Sequence, residues 1–360
     1  EREREGESPV EDGVREIDGE DDVNALFNGE GEAEREYTES ESDQEFSDRS
    51  TKSAPVSSED MLSWRPPMVR ETRKPSGHEY HANWLKQYWL LVVRFTRFKI
   101  RDPAQLLGVL FQYTFVALFA GSLWFAVGTE FPDDINNRIG AIFFYLASLG
   151  FSPAMSEALN LYLHRQTYWQ EHLAGSYRTS AWYLAYLTVA LPIYTAMVIW
   201  LASIMYWMVG FNPLFYRFVV FIVIGWCTIF TVAALASMLT AVFESYRTAQ
   251  IVTSLLMTVF IVFGGPFLSG DAVPAYYIWL WYISPFRWAF EAILVNDLDG
   301  LELTCAEPPC PTGNDVYENL NYGELGYGMT ITRSVLILLG MGVVFHAMTY
   351  LGIRFVRFQK

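Results

Sequence analysis

The chain has 360 residues, 52% hydrophobic and 16% aromatic, with a formal net charge of −15. That charge is uneven: residues 1–60 hold 22 of the 40 acidic and 6 of the 25 basic side chains, a balance of −16, and the rest of the chain carries +1. An acidic extension on an apolar, nearly neutral body excludes a basic nucleic-acid binder, and the aromatic share is high for a soluble domain.

The extension ("EREREGESPVEDGVREIDGEDD", then "ESESDQEFSDRS") has few aromatics and no apolar period. It cannot bury enough surface to offset the entropy of ordering, so 1–77 is predicted to be a disordered cytosolic linker or tail. It is either a solvated spacer or a regulatory segment open to serine phosphorylation. The chain begins without Met and without a signal peptide, and is expected to be the C-terminal part of a longer protein.

A helix is predicted next, within 78–104. In "YHANWLKQYWLLVVRFTRFKIRDP", Trp84, Tyr88, Leu91, Phe95 and Phe98 recur at steps of three and four, opposite Lys86, Arg94, Arg97 and Lys99. That pattern describes an amphipathic helix lying along a membrane surface.

Residues 105–360 read as a six-helix membrane domain. Crossing a hydrocarbon core of about 30 Å takes about 20 apolar residues, and helices satisfy their own backbone amides there. The runs are 105–127, 139–163 (with one charge, Glu157), 181–209, 218–243, 248–268 and 334–353. The uncharged stretch 272–286 is shorter, contains Pro274 and Pro285, and is followed by Arg287 and Glu291. It is predicted to be a re-entrant or interfacial element, with a seventh span as the alternative.

Loop charge sets the orientation. Residues 61–104 hold nine basic and three acidic side chains, whereas 269–332 hold nine acidic and one basic. Six spans then put both termini in the cytosol and 269–332 outside, in a plasma or an internal membrane. The stretch "RQTYWQEHLAGSYR" falls between the second and third spans, on the cytosolic side, with aromatics and charges suited to gripping a soluble partner. Cys305 and Cys310 lie in the outer segment as "TCAEPPCPTG", so a disulfide is expected, with a free pair as the alternative; Cys227 reads as packing. No Asn-x-Ser/Thr sequon is present.

There is no GxxxxGK[ST] phosphate loop, no His/Cys metal spacing and no GxSxG elbow, so no catalytic or metal residue is proposed. Two ionisable groups fall inside spans. Glu157, placed about a turn from the cytosolic end of its helix, is read as an interfacial anchor reaching water or as a polar contact within the bundle. His346 is read as a packed imidazole or a relay partner. Paired intramembrane charges, which a secondary transporter would need, are absent.

Four stretches in order resemble the transmembrane domain of the G subfamily of ABC transporters, the White and pleiotropic-drug-resistance type, over roughly 80–360. They are "QYWLLVVRFTRFKIRDP", "NRIGAIFF", "YWQEHLAGSYRTSAWYL…LP" and "WYISPFRWAFEAILVNDL". The resemblance implies a connecting helix, a cytosolic coupling helix carrying Arg165, Glu171, Gly175, Tyr177 and Arg178, and an extracellular re-entrant segment with Arg287 and Glu291. It implies ATP and Mg bound by a nucleotide-binding domain upstream in the same polypeptide, and a second half-transporter as a homodimeric or heterodimeric partner. Phe144, Phe151, Thr258 and Val262 match substrate-facing positions, and Phe267 and Leu268 an apolar outer plug. The sequence departs from the family at His164-Arg165, Gln170, Tyr186 and Val189, leaving the coupling segment less charged than usual. The expected function is the membrane domain of an ATP-driven exporter of lipids, sterols or other amphipaths. The alternative is a non-transporting scaffold or receptor derived from such a domain.

Overall fold

The computed structural model describes residues 82–265, 273–305, 310–320, 322–323 and 325–356. The acidic extension lies outside them. The described residues form ten α-helices and one short 3-10 turn, with isolated bridges and no strand. The helices are α1 (Trp84–Arg101), α2 (Pro103–Leu123), α3 (Asp133–Leu173), α4 (Thr179–Val209) and α5 (Phe215–Val242). They continue as α6 (Tyr246–Gly264), α7 (Ile278–Ile283), α8 (Pro285–Leu298), α9 (Gly313–Asn319) and α10 (Tyr327–Phe355). Among the described residues α2 to α6 and α10 are long and apolar enough to cross a membrane.

The predicted spans agree with these helices to within a few residues, except at α3 and the start of α10. Hydropathy ends near Leu163, but α3 runs unbroken for 41 residues to Leu173. At 1.5 Å per residue that is about 60 Å, twice the hydrocarbon thickness. The segment read as one coupling helix is therefore not one: Arg165 and Glu171 lie on the end of the second span, and Gly175, Tyr177 and Arg178 in the turn that follows it. A backbone ladder, once started, does not need apolar side chains to continue.

Local sequence sets the other joints. Asp102 ends α1 and caps α2 by accepting from the Gln105 amide at 3.1 Å, with Pro103 in the first turn. Gly175 closes α3 at φ +72°, a conformation that strains a residue with a Cβ. Around it Ser176 N bonds Glu171 O at 3.2 Å and Gly175 N bonds His172 O at 3.0 Å, the paired bonds of a Schellman end.

α5 is the most enclosed span, packed against α3, α4, α6, α8 and α10. A Cβ on Gly342 of α10 would stand 2.6 Å from the Phe230 ring of α5, so a bare backbone is what lets these helices meet so closely. A second, largely aromatic cluster joins α1, α3 and α4 through Phe95, Tyr168, Trp182 and Tyr186. Phe95 meets the Trp182 and Tyr186 rings edge-on at 6.0 Å. On α1 the buried positions include Leu91 and Phe95, whereas Phe98 at the end of the predicted stripe is exposed.

Among the described residues the alternative of a seventh span over 272–286 is not formed. A 3-10 turn at Ala275–Tyr277 leads into α7, which has six residues, about 9 Å, and stops at Ser284. Pro285 then starts α8, all of whose residues are buried.

Candidate coupling and translocation sites

At one end of the bundle, α1, the tip of α3 and the start of α4 are tied together. Arg94 pairs with Glu171 at 2.7 Å, and the Tyr177 hydroxyl donates to the same carboxylate oxygen at 2.7 Å. That bond raises the Arg94 pKa despite opposing burial. Burial first, and then Glu171, push the Tyr177 phenol well up. The Arg178 amide, at the entry to α4, donates to Gln87 of α1 at 3.1 Å, and Trp84 of α1 donates to Ser180 of α4 at 3.1 Å. Gly175 and the Arg178 side chain are exposed. Arg165 is not: its guanidinium reaches into the bundle and donates to Thr240 O at 2.5 Å and to Phe243 O and Glu244 O at 2.9 Å each. It caps the carbonyl end of α5, where a cation suits the helix dipole.

Glu157 lies in the middle of α3, not near its end. Sixteen residues of helix follow it, and it is buried rather than reaching water. Its carboxylate accepts from the Tyr186 and Tyr194 hydroxyls at 2.6 Å each and from Ser237 at 3.2 Å. Three donors satisfy a group that would otherwise be costly in an apolar interior. Of the two earlier readings the contact inside the bundle is the one formed. His346 meets the Tyr183 hydroxyl at 2.8 Å and packs against Phe230 with ring centroids 4.7 Å apart, as a packed imidazole does.

Phe144 and Phe151 lie one above the other on α3, both half-buried. Phe144 packs on Trp124 with centroids 5.7 Å apart. Phe151 faces an open groove of about 470 Å³ between α2 and α3, also lined by Tyr113, Ser148 and Met155. Thr258 and Val262 do not line it. They are exposed on α6, where the Thr258 hydroxyl donates to its own helix at Ser254 O, 2.9 Å away. Phe267 and Leu268 lie outside the described residues.

The opposite end holds a buried ionic network. Arg138 of α3 contacts Asp297 of α8 at 3.0 and 3.2 Å, and donates to the carbonyls of Gly128, Val127 and Gly210 at 3.0, 3.1 and 2.9 Å. Asp297 also accepts the Asn212 amide at 2.9 Å. Arg217 of α5 donates to Asn296 O at 2.6 Å. The Arg287 guanidinium lies between Trp281 and Trp288, 3.7 and 3.8 Å from their centroids, and 3.7 Å from Glu291. Arg333 of α10 completes the pairing with Glu291 at 2.6 Å. Cys305 and Cys310 form a disulfide.

Arg138, Arg217, Asp297 and Arg333 were not singled out from sequence, nor was Tyr194, and Tyr186 was noted only as a departure from the family. Arg138 and Asp297 sat inside resemblance motifs, but nothing along the chain pairs positions so far apart.

Six membrane-crossing helices with these two tied ends define the class, a helical integral membrane domain. The model of the "ABC-2 type transporter" family matches residues 86–298, and the chain belongs to that family. It is similar to ABC transporter G family member 24 of Dictyostelium discoideum, 29% identical over 291 residues, 80% of this chain and 25% of the relative. It is also similar to the ABC transporter ATP-binding protein/permease wht-1 of Caenorhabditis elegans, 25% identical over 269 residues, 70% of this chain and 39% of the relative. Protein white of Drosophila melanogaster is 25% identical over 298 residues, 78% of this chain and 41% of the relative. The chain thus spans about a quarter to two-fifths of the length of these relatives.

Proposed function

We propose that the chain is the membrane domain of an ATP-driven exporter of lipids, sterols or other amphipaths, working as one of two paired halves. The nucleotide-binding domain, holding ATP and Mg, is upstream in the same polypeptide, in keeping with the name of the Caenorhabditis elegans relative, an ATP-binding protein/permease. The observation that carries this reading is the continuity of α3. Twenty residues of unbroken helix, about 30 Å, separate Phe151 from Glu171.

In this reading the turn at 174–178 lies in the cytosol and rests on the nucleotide-binding domain. Glu171, Gly175 and Arg178 form the contact, buried Tyr177 braces Glu171 from behind, and Arg165 passes their motion to the end of α5. Glu157 keeps α3, α4 and α5 moving as one body. Substrate meets Phe144 and Phe151 on α3 and, separately, the exposed Thr258 and Val262 on α6, and leaves past Phe267 and Leu268. The outer segment, with Arg287 and Glu291 in a re-entrant element, forms the extracellular gate. A bistable packed bundle of this kind converts a small shift at one end into rearrangement at the other.

The test uses the full-length protein in proteoliposomes. Uptake of a fluorescent lipid or sterol that depends on hydrolysable ATP is expected. Binding of such probes with no ATP-dependent movement, across a panel of lipids and sterols, would instead support a scaffold or receptor.

A further inference from the structure

A narrow cavity of about 60 Å³ lies where α1, α2, α3 and α4 converge, beside the Tyr186 and Tyr194 that hold Glu157. Lys99 of α1 stands in its wall. The ammonium donates to Gln105 Oε1 at 3.3 Å and Asn160 Oδ1 at 3.1 Å, both neutral amide oxygens. An ammonium has three protons to donate, and among the described residues Lys99 forms no salt bridge. Burial lowers its pKa, and the Glu157 and Asp102 carboxylates, neither of which bonds it, offset that only in part.

Away from this ammonium the lining is mostly apolar, with Val109, Val189 and Met197 among its residues. Tyr113, Ser152 and Ser156 line both this cavity and the open groove at Phe151, so the two spaces adjoin. The volume limits what can enter. A space of this size takes about four water-sized groups, a short file of methylenes rather than a fused ring system.

We propose that the cavity and the adjoining groove bind a single-chain amphipath with an anionic head, the head at Lys99 and the chain running past Tyr113 and Ser152 toward Phe151. A carboxylate or phosphate bonds the ammonium directly, as neither Glu157 nor Asp102 does, and the apolar walls exclude water from the chain. The site lies within one copy of the chain and stands whether or not the protein moves that ligand.

Photo-crosslinking without ATP tests this in the full-length protein in nanodiscs. Three probes are compared: a long-chain fatty acid with a mid-chain diazirine, a lysophosphatidic acid with the same single chain, and a diazirine cholesterol. Labelled peptides from α2, α3 and α4 around Tyr113, Ser152 and Val189 are expected with one or both chain probes. Labelling by the fatty acid alone identifies a free acid as the occupant; labelling by both identifies an anionic lipid of either kind. Lys99→Gln lowers labelling about tenfold, the loss of one charge-assisted bond, and Lys99→Arg retains it. Ser152→Phe, which fills the passage, abolishes it. Equal labelling of these peptides by the cholesterol probe, no labelling there by any probe, or labelling indifferent to Lys99→Gln in a protein of unchanged melting temperature overturns the proposal. Because no ATP is present, loss of transport in any variant leaves this result separate from the exporter reading.

Discussion

Arg138 gives the sharpest energetic prediction. Each of its three guanidinium nitrogens has partners, on Asp297 and on the carbonyls of Val127, Gly128 and Gly210, and both members of the ion pair are almost fully buried. Arg138→Met removes the cation and leaves the Asp297 carboxylate with only the Asn212 amide. Breaking one side of a buried pair costs about 3–5 kcal/mol. Asp297→Leu strands the guanidinium and costs about the same. The double variant Arg138→Met/Asp297→Leu leaves no uncompensated charge and loses mainly the donors to three carbonyls. It is expected to be more stable than either single variant, with an interaction energy of about 2–4 kcal/mol between the two changes. Denaturant or thermal unfolding of the four proteins in one detergent completes the cycle. Costs that add to within about 0.5 kcal/mol would refute the reasoning, since groups acting as a pair cannot be additive.

Gly175→Ala forces a Cβ into the left-handed region, which costs about 1–2 kcal/mol, and should loosen the α3 end; faster amide exchange at 171–177 with unchanged exchange in α5 is the check. Phe151→Ala removes a half-buried ring facing a groove, so substrate-stimulated ATPase of the full-length protein should fall while thermal stability drops less than the 3–5 kcal/mol of a core phenylalanine. A protein that misfolds before losing its substrate response would make Phe151 a packing residue. Cys305→Ser with Cys310→Ser opens a short loop and should cost about 2–3 kcal/mol in the chain-entropy model. An impermeant thiol reagent should label the two native cysteines in intact cells only after reduction, and labelling before reduction would count against the bond.

The spans were legible because lipid leaves a chain few options: apolar runs of the right length must be helices. The Asp102-Pro103 joint was legible in part, since capping has local residue preferences, whereas Gly175 was placed on a helix that it in fact ends. Glu157 was misplaced because hydropathy located the end of its span at Leu163, whereas the helix continues to Leu173. Its three partners lie 29, 37 and 80 residues away, and no local pattern links them. Tyr186 was noted only as a departure from the family, yet it is one of the donors that hold Glu157. The Arg138–Asp297 pair spans 159 residues, so it emerges only when α3 and α8 are packed. The proposed coupling residues divide similarly. Exposed Gly175 and Arg178 suit a partner contact, while buried Arg165 and Tyr177 hold the α3 tip to the bundle.

The central claim is that force enters at the tip of α3, and Glu171→Ala tests it most directly. The Arg94–Glu171 pair is partly exposed and its loss costs at most about 1 kcal/mol, with about 1–3 kcal/mol more for the Tyr177 hydroxyl left without its acceptor, so the fold should persist. ATP hydrolysis and substrate transport are measured together on the full-length protein in proteoliposomes, giving molecules moved per ATP. Basal hydrolysis is expected to continue while that ratio falls at least about fivefold, the lower end of typical coupling between sites. A ratio unchanged from the native protein would contradict the account.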